Sequence, residues 1–290
     1  MKKLTNTLMR GLVALTMAGT GLVLTPSAAR ADFIVFEVDE STVPGGPGGL
    51  GTISADDING LYSEVLLCSV AGCGTGDFTT NAYADFGQFA IHTGVGGSKV
   101  DVASDLDASY DIYALFTASG TTAGPTDIGN PPIFPDGTLA ISFTGTSGGG
   151  TLWVDPEEDT TFDFDIAGNV VVTDPGGGDY LLLTANSLIS GQGLFVDYPV
   201  GTLDDAGNFT LNFGDITVAP DGLDFFPTFQ NIQVTLARAT GDFDSLNNPV
   251  GGDVDIQFEG TPVVPEPTTL SLLGIGLLGV GAAARRRRRA

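Results

Sequence analysis

The chain has 290 residues, with 35 acids against 11 lysines and arginines, one histidine and two cysteines. Thirty-four of the acids lie between Asp32 and Val264, where Lys99 and Arg238 are the only cations, so this stretch carries a net charge of −32. Such a body repels phosphate backbones and anionic headgroups, which excludes nucleic acid as a partner. Its 233 residues are enough for one all-β domain with a sizeable core.

The N-terminus reads as an export signal over residues 1–31. Lys2, Lys3 and Arg10 form a cationic head, Gly11 to Leu24 an apolar run, and Ala29-x-Ala31 a small-residue exit that fits signal-peptidase cleavage before Asp32. The run is too short for a comfortable membrane span.

From Asp32 to Val264 the hydrophobic pattern has period two. Leu139, Ile141 and Phe143 alternate with small or polar residues, as do Phe162, Phe164 and Ile166; Phe209, Leu211 and Phe213; Ile232, Val234 and Leu236; and Val254, Ile256 and Phe258. Each run is a half-buried strand with one wet face. Turn signals stand between them at Pro135-Asp136-Gly137, Ala167-Gly168-Asn169, Asp174-Pro175-Gly176, Pro220-Asp221-Gly222 and Pro249-Val250-Gly251. Roughly a dozen short strands spaced in this way predict a single β-sandwich of jelly-roll type. Pro44 to Gly51 reads as a loop, and Ala55 to Leu61 as a short turn of helix opened by Ser54.

Cys68 and Cys73, in an exported chain, predict a disulfide closing a small loop. A zinc site does not fit their spacing, and His92 alone leaves the ligand set short. Gly145-Thr146-Ser147-Gly148-Gly149 matches a nucleophile elbow, but strand-like Thr151 to Val154 follows where a helix is required, so it reads as a glycine turn. Gly46 to Gly51 matches a dinucleotide fingerprint with no helix after it. No catalytic residue is assigned. Asp155, Glu157, Glu158 and Asp159 form the densest acidic cluster and are the candidate calcium ligands, since calcium takes several hard oxygens from flexible acidic loops. No other cofactor is expected. The competing reading of the same acids is a solvated strand face.

At the C-terminus, Pro265-Glu266-Pro267 precedes an apolar stretch from Leu270 to Ala284, then Arg285, Arg286, Arg287, Arg288 and Arg289. Fifteen helical residues rise roughly 22 Å, a thin membrane anchor that needs its flanks to span. The arginines act as a stop-transfer block and stay cytoplasmic, which leaves the acidic body outside.

These three elements, in this order over residues 265–290, resemble the PEP-CTERM sorting signal. The resemblance implies recognition by an exosortase, a membrane cysteine protease-transpeptidase of Gram-negative bacteria that make exopolysaccharide, with cleavage near Pro265 to Pro267. More loosely, Phe36 to Gly45, Asn59 to Val65, Ala82 to Phe89 and Tyr110 to Phe116 are similar to segments of flocculation-associated PEP-CTERM proteins. The expectation is a non-enzymatic matrix protein, tethered to the inner membrane and then released to the cell surface. There it would associate with exopolysaccharide and promote flocculation or biofilm. The alternatives are a calcium-dependent glycan-binding adhesin and a secreted glycan-active hydrolase.

Overall fold

The structure, a computed structural model, describes residues 33–44, 51–93, 98–129, 134–199, 205–243 and 245–263. Among the described residues thirteen strands follow in chain order: β1 (Phe36–Asp39), β2 (Thr52–Ala55), β3 (Asp57–Cys68), β4 (Gly76–His92), β5 (Lys99–Val102), β6 (Asp111–Asp127) and β7 (Leu139–Asp155). They continue as β8 (Thr161–Phe164), β9 (Val170–Thr173), β10 (Tyr180–Asp197), β11 (Ala206–Val218), β12 (Ile232–Phe243) and β13 (Val250–Pro262), with one helix, α1 (Pro220–Phe225), between β11 and β12.

Eight of these strands form one antiparallel meander in which β3, β4, β6, β7, β10, β11, β12 and β13 each pair with the next. Pairing of β13 with β3, from Val250 opposite Glu64 to Ile256 opposite Ile58, closes the meander into a barrel. The all-β class stands, but the jelly-roll sandwich does not. Alternation of apolar and polar residues describes a strand with one buried face, and a barrel wall satisfies it as well as a sandwich does. The deciding contact joins strands nearly two hundred residues apart, which local patterning cannot register.

Three further expectations are corrected. The predicted helix at Ala55 to Leu61 is the end of β2 and the start of β3, where Asp57 pairs with Ala90 and Ile58 with Phe89. The predicted turn at Pro220-Asp221-Gly222 instead opens α1, since proline suits the first turn of a helix, where no N–H partner is lost. The glycine turn at Gly145 to Gly149 is extended chain inside the 17-residue β7. Glycine is required there by crowding: a Cβ on Gly148 would lie 2.2 Å from the Thr117 carbonyl oxygen, and one on Gly149 2.7 Å from that of Ala185.

The interior is apolar, with Ile58, Tyr62 and Leu66 of β3, Phe78, Ala82, Ala84 and Phe86 of β4, and Ile112, Ala114, Phe116 and Ala118 of β6 all buried at alternate positions. One end is plugged. Phe36 of β1 meets Phe226 and Phe258 edge-on at 5.5 and 5.6 Å, and Phe225 and Phe229 complete the cluster. Burying each such ring stabilises the fold by roughly 1.5–3 kcal/mol. Outside the barrel, β8 and β9 form a hairpin held by a stack of Phe162 on Tyr83 at 4.6 Å and an edge contact of Phe162 with Tyr113 at 5.0 Å.

Candidate functional site

Several residues singled out in the sequence fall where the structure gives no description. Ala29 and Ala31, Pro265, Glu266 and Pro267, the apolar stretch Leu270 to Ala284, and Arg285 to Arg289 all lie outside the described residues. Among the described residues no helix is long and apolar enough to cross a membrane. Cys68 and Cys73 are disulfide-bonded across a 3-10 turn, with their Cα atoms 5.1 Å apart.

The acidic cluster is not assembled into a ligand set. Asp155 is 1% exposed and its two carboxylate oxygens accept the N–H groups of Glu157, at 3.0 Å, and Thr160, at 2.8 Å. It shapes the turn after β7. Glu157 lies against Gly178 and Asp159 against Gly176, while Glu158 has a left-handed backbone at φ 53°. Among the described residues no group of three or more His, Cys, Asp or Glu side chains is placed to hold a metal ion. His92 is tied to Asp56, its Nδ1 2.9 Å from Oδ1 and its N–H shared between both oxygens.

Acids also crowd the plugged end. Asp111 of β6 stands opposite Asp155 of β7, and like charges facing each other across strands are unfavourable. Burial, reinforced by Asp85, Glu158, Asp107 and Asp155, pushes the Asp111 carboxyl up to about 7. Tyr113 and Thr160 hydroxyls donate to Asp179 at 2.7 and 2.9 Å.

The lumen offers little room. A cavity of about 50 Å³ lies among Glu64, Thr80, Phe78, Phe143, Phe209 and Phe243, and a second of about 40 Å³ lies on the other side of Phe116. At ~10–15 Å³ of such volume per water, each holds a few waters and no organic ligand of useful size. Glu64 accepts a hydrogen bond from Thr80 Oγ1 at 2.5 Å, and desolvation by the surrounding protein pushes its carboxyl up to about 7. The barrel is therefore a packed core rather than a cup.

The roomy site is on the outer wall. Between β7 and β10 the pairing stops at Gly150 opposite Ala185 and resumes at Gly145 opposite Gly191. Five steps along β7 are matched there by six along β10, a bulge in the ladder. A cleft of about 560 Å³ lies beside this bulge, lined by Gly148, Gly149 and Gly150 together with the apolar Ala82, Leu115, Phe116, Val170 and Ala185. Its polar lining comes from Asn81 of β4, Thr117 of β6, Thr151 of β7, Asn169 of the hairpin turn, and Thr184 and Asn186 of β10. No side chain described as lining it carries a charge. Asn81 Nδ2 donates to the Gly168 carbonyl at 3.1 Å and so fixes the hairpin as one rim. Sequence reading missed this cleft. Its one local signal, the glycine run 148–150, read as a turn.

The fold and these features define an exported, strongly acidic antiparallel barrel with an uncharged surface cleft. The PEP-CTERM protein-sorting motif matches residues 263–289, beginning one residue beyond β13. The chain is thus an exosortase-targeted precursor, anchored in the membrane and processed to the cell surface. Neither a curated protein nor a solved structure matches it.

Proposed function

We propose that this protein is a non-enzymatic component of the extracellular matrix that binds exopolysaccharide in the outer cleft and thereby promotes cell aggregation. The observation that carries the reading is the cleft's chemistry. On a body of net charge −32, this roomy outer cleft combines amides, hydroxyls and glycine backbone, which hydrogen-bond sugar hydroxyls without requiring charge, with apolar Ala82, Leu115, Phe116, Val170 and Ala185, which can pack against the faces of sugar rings. Its volume falls in the ~300–1,000 Å³ range of ligand sites, enough for a short run of sugar rings. The acidic surround disfavours polyanions, so the partner is a neutral glycan stretch.

The test is deletion of the chain followed by complementation with wild type or with Thr184→Trp, which fills the cleft. Loss of aggregation on deletion, restored by wild type and not by the variant, supports the proposal. Normal aggregation of the deletion strain overturns it.

A further inference from the structure

Lys99 is the only lysine between Asp32 and Val264, and it stands between two carboxyl groups. From β5 its Nζ donates to Asp255 Oδ1 on β13 and lies 3.5 Å from Asp57 Oδ1 on β3. Asp255 Oδ1 also accepts Asn59 Nδ2 at 2.6 Å. Asp57 is 1% exposed, its Oδ2 accepts Gln257 Nε2 at 3.2 Å, and its Oδ1 has no hydrogen-bond partner. An amine, a carboxyl carbon and a buried carboxyl able to move protons between them are the parts of an amide-forming site.

We propose that Lys99 and Asp255 join autocatalytically in an isopeptide bond, with Asp57 as the catalytic acid–base. Lys99 Nζ passes a proton to Asp57 Oδ1 and attacks Asp255 Cγ, forming the C–N bond. The oxyanion at Asp255 Oδ1 is held by the Asn59 amide N–H. Two protons from Nζ pass in turn through Asp57 to Asp255 Oδ2, the C–Oδ2 bond breaks, and one water leaves. Ammonium plus carboxylate gives amide plus water, so atoms and charge balance without a co-reactant. Lys99 and Asp255 side chains are 28% and 36% exposed, which gives the water a way out.

The electrostatics suit the shuttle. A plain ion pair holds a carboxyl below its ordinary range, yet burial and the neighbouring Asp255 push Asp57 up to about 6 despite Lys99 and His92. A group poised there both takes and returns a proton near neutral pH.

The position also has mechanical sense. β13 is the last strand before the sorting motif at 263–289, so tension on a C-terminal tether loads β13 first. An amide from β13 to β5 ties that strand across β3 and β4 and prevents it from peeling away.

Trypsin reads the bond directly. Between Arg30 and Arg285 its only sites are Lys99 and Arg238. Full-length protein, denatured and digested, is expected to resist cleavage after Lys99. The fragment ending at Arg238 should be linked to the one beginning at Ala239, with a combined mass one water below the sum. Asp255→Asn should give the same linkage with loss of ammonia instead of water. Lys99→Arg should abolish it and restore cleavage at position 99. Asp57→Asn should slow its formation by about a hundredfold or more. Complete cleavage after Lys99 in the wild-type chain, with unlinked fragments, would overturn the proposal and leave an ordinary ion pair. Linkage formed at the wild-type rate in Asp57→Asn would overturn the role given to Asp57.

Discussion

The lumen and the outer cleft are built from the same strands and differ in every property that matters for binding. Inside, phenylalanines from β4, β7, β11 and β12 leave about 50 Å³, and the Glu64 carboxyl there is driven toward its neutral form. Outside, about 560 Å³ lies over glycines of β7 beside a bulge in the β7–β10 ladder, lined by amides and hydroxyls together with apolar residues such as Leu115 and Val170. Volume decides between them: an antiparallel barrel suggests a ligand cup by its shape, but this one is filled. The lumen should therefore govern stability, and the cleft should govern binding.

The largest effect is expected at the aromatic plug. Phe226→Ala removes a fully buried ring and should cost roughly 3–5 kcal/mol in denaturant unfolding, with glycan binding unchanged in the fraction that remains folded. Replacing both Cys68 and Cys73 with serine should cost about 2 kcal/mol, because a short loop is no longer closed in the unfolded chain.

The acids give a pH signature of a particular sign. Glu64 and Asp111 at about 7 both stand above their ordinary values, so at intermediate pH the folded chain binds more protons than the unfolded one. Their contribution to stability is greatest below about 4 and is lost as pH rises through about 7. Thermal unfolding should therefore show a higher midpoint at pH 5 than at pH 8, and Glu64→Gln should flatten part of that slope. A midpoint that rises with pH over this interval would contradict the assignment. The smallest stability change is expected in the cleft. Thr184→Trp should shift unfolding by no more than ~0.5 kcal/mol while weakening glycan binding at least about tenfold.

Strand identity was legible because period-two alternation is local. Leu139 to Phe143, Phe209 to Phe213 and Val254 to Phe258 all lie on the strands expected of them. Closure was not legible, since Ile58 and Ile256 meet only once the chain has wound fully round. Glycine misled for a physical reason: the same residue permits a turn and permits two strands to approach closely, and Gly148 and Gly149 serve the second purpose. The acidic cluster shows what adjacency in sequence leaves out: both Asp155 oxygens are taken up by backbone N–H groups of the turn that follows it. The tail was the most legible part, because a sorting signal is read as an ordered string of Pro-Glu-Pro, apolar run and arginines and needs no tertiary structure.

The most direct measurement is equilibrium binding of the host's purified exopolysaccharide to the full chain, its Thr184→Trp variant and its Glu64→Gln variant at one salt concentration. Saturable binding that is retained by Glu64→Gln and lost with Thr184→Trp is the predicted result. Binding that is absent from the wild type, or that disappears with the lumen substitution and survives the cleft substitution, would contradict the assignment of function to the outer wall.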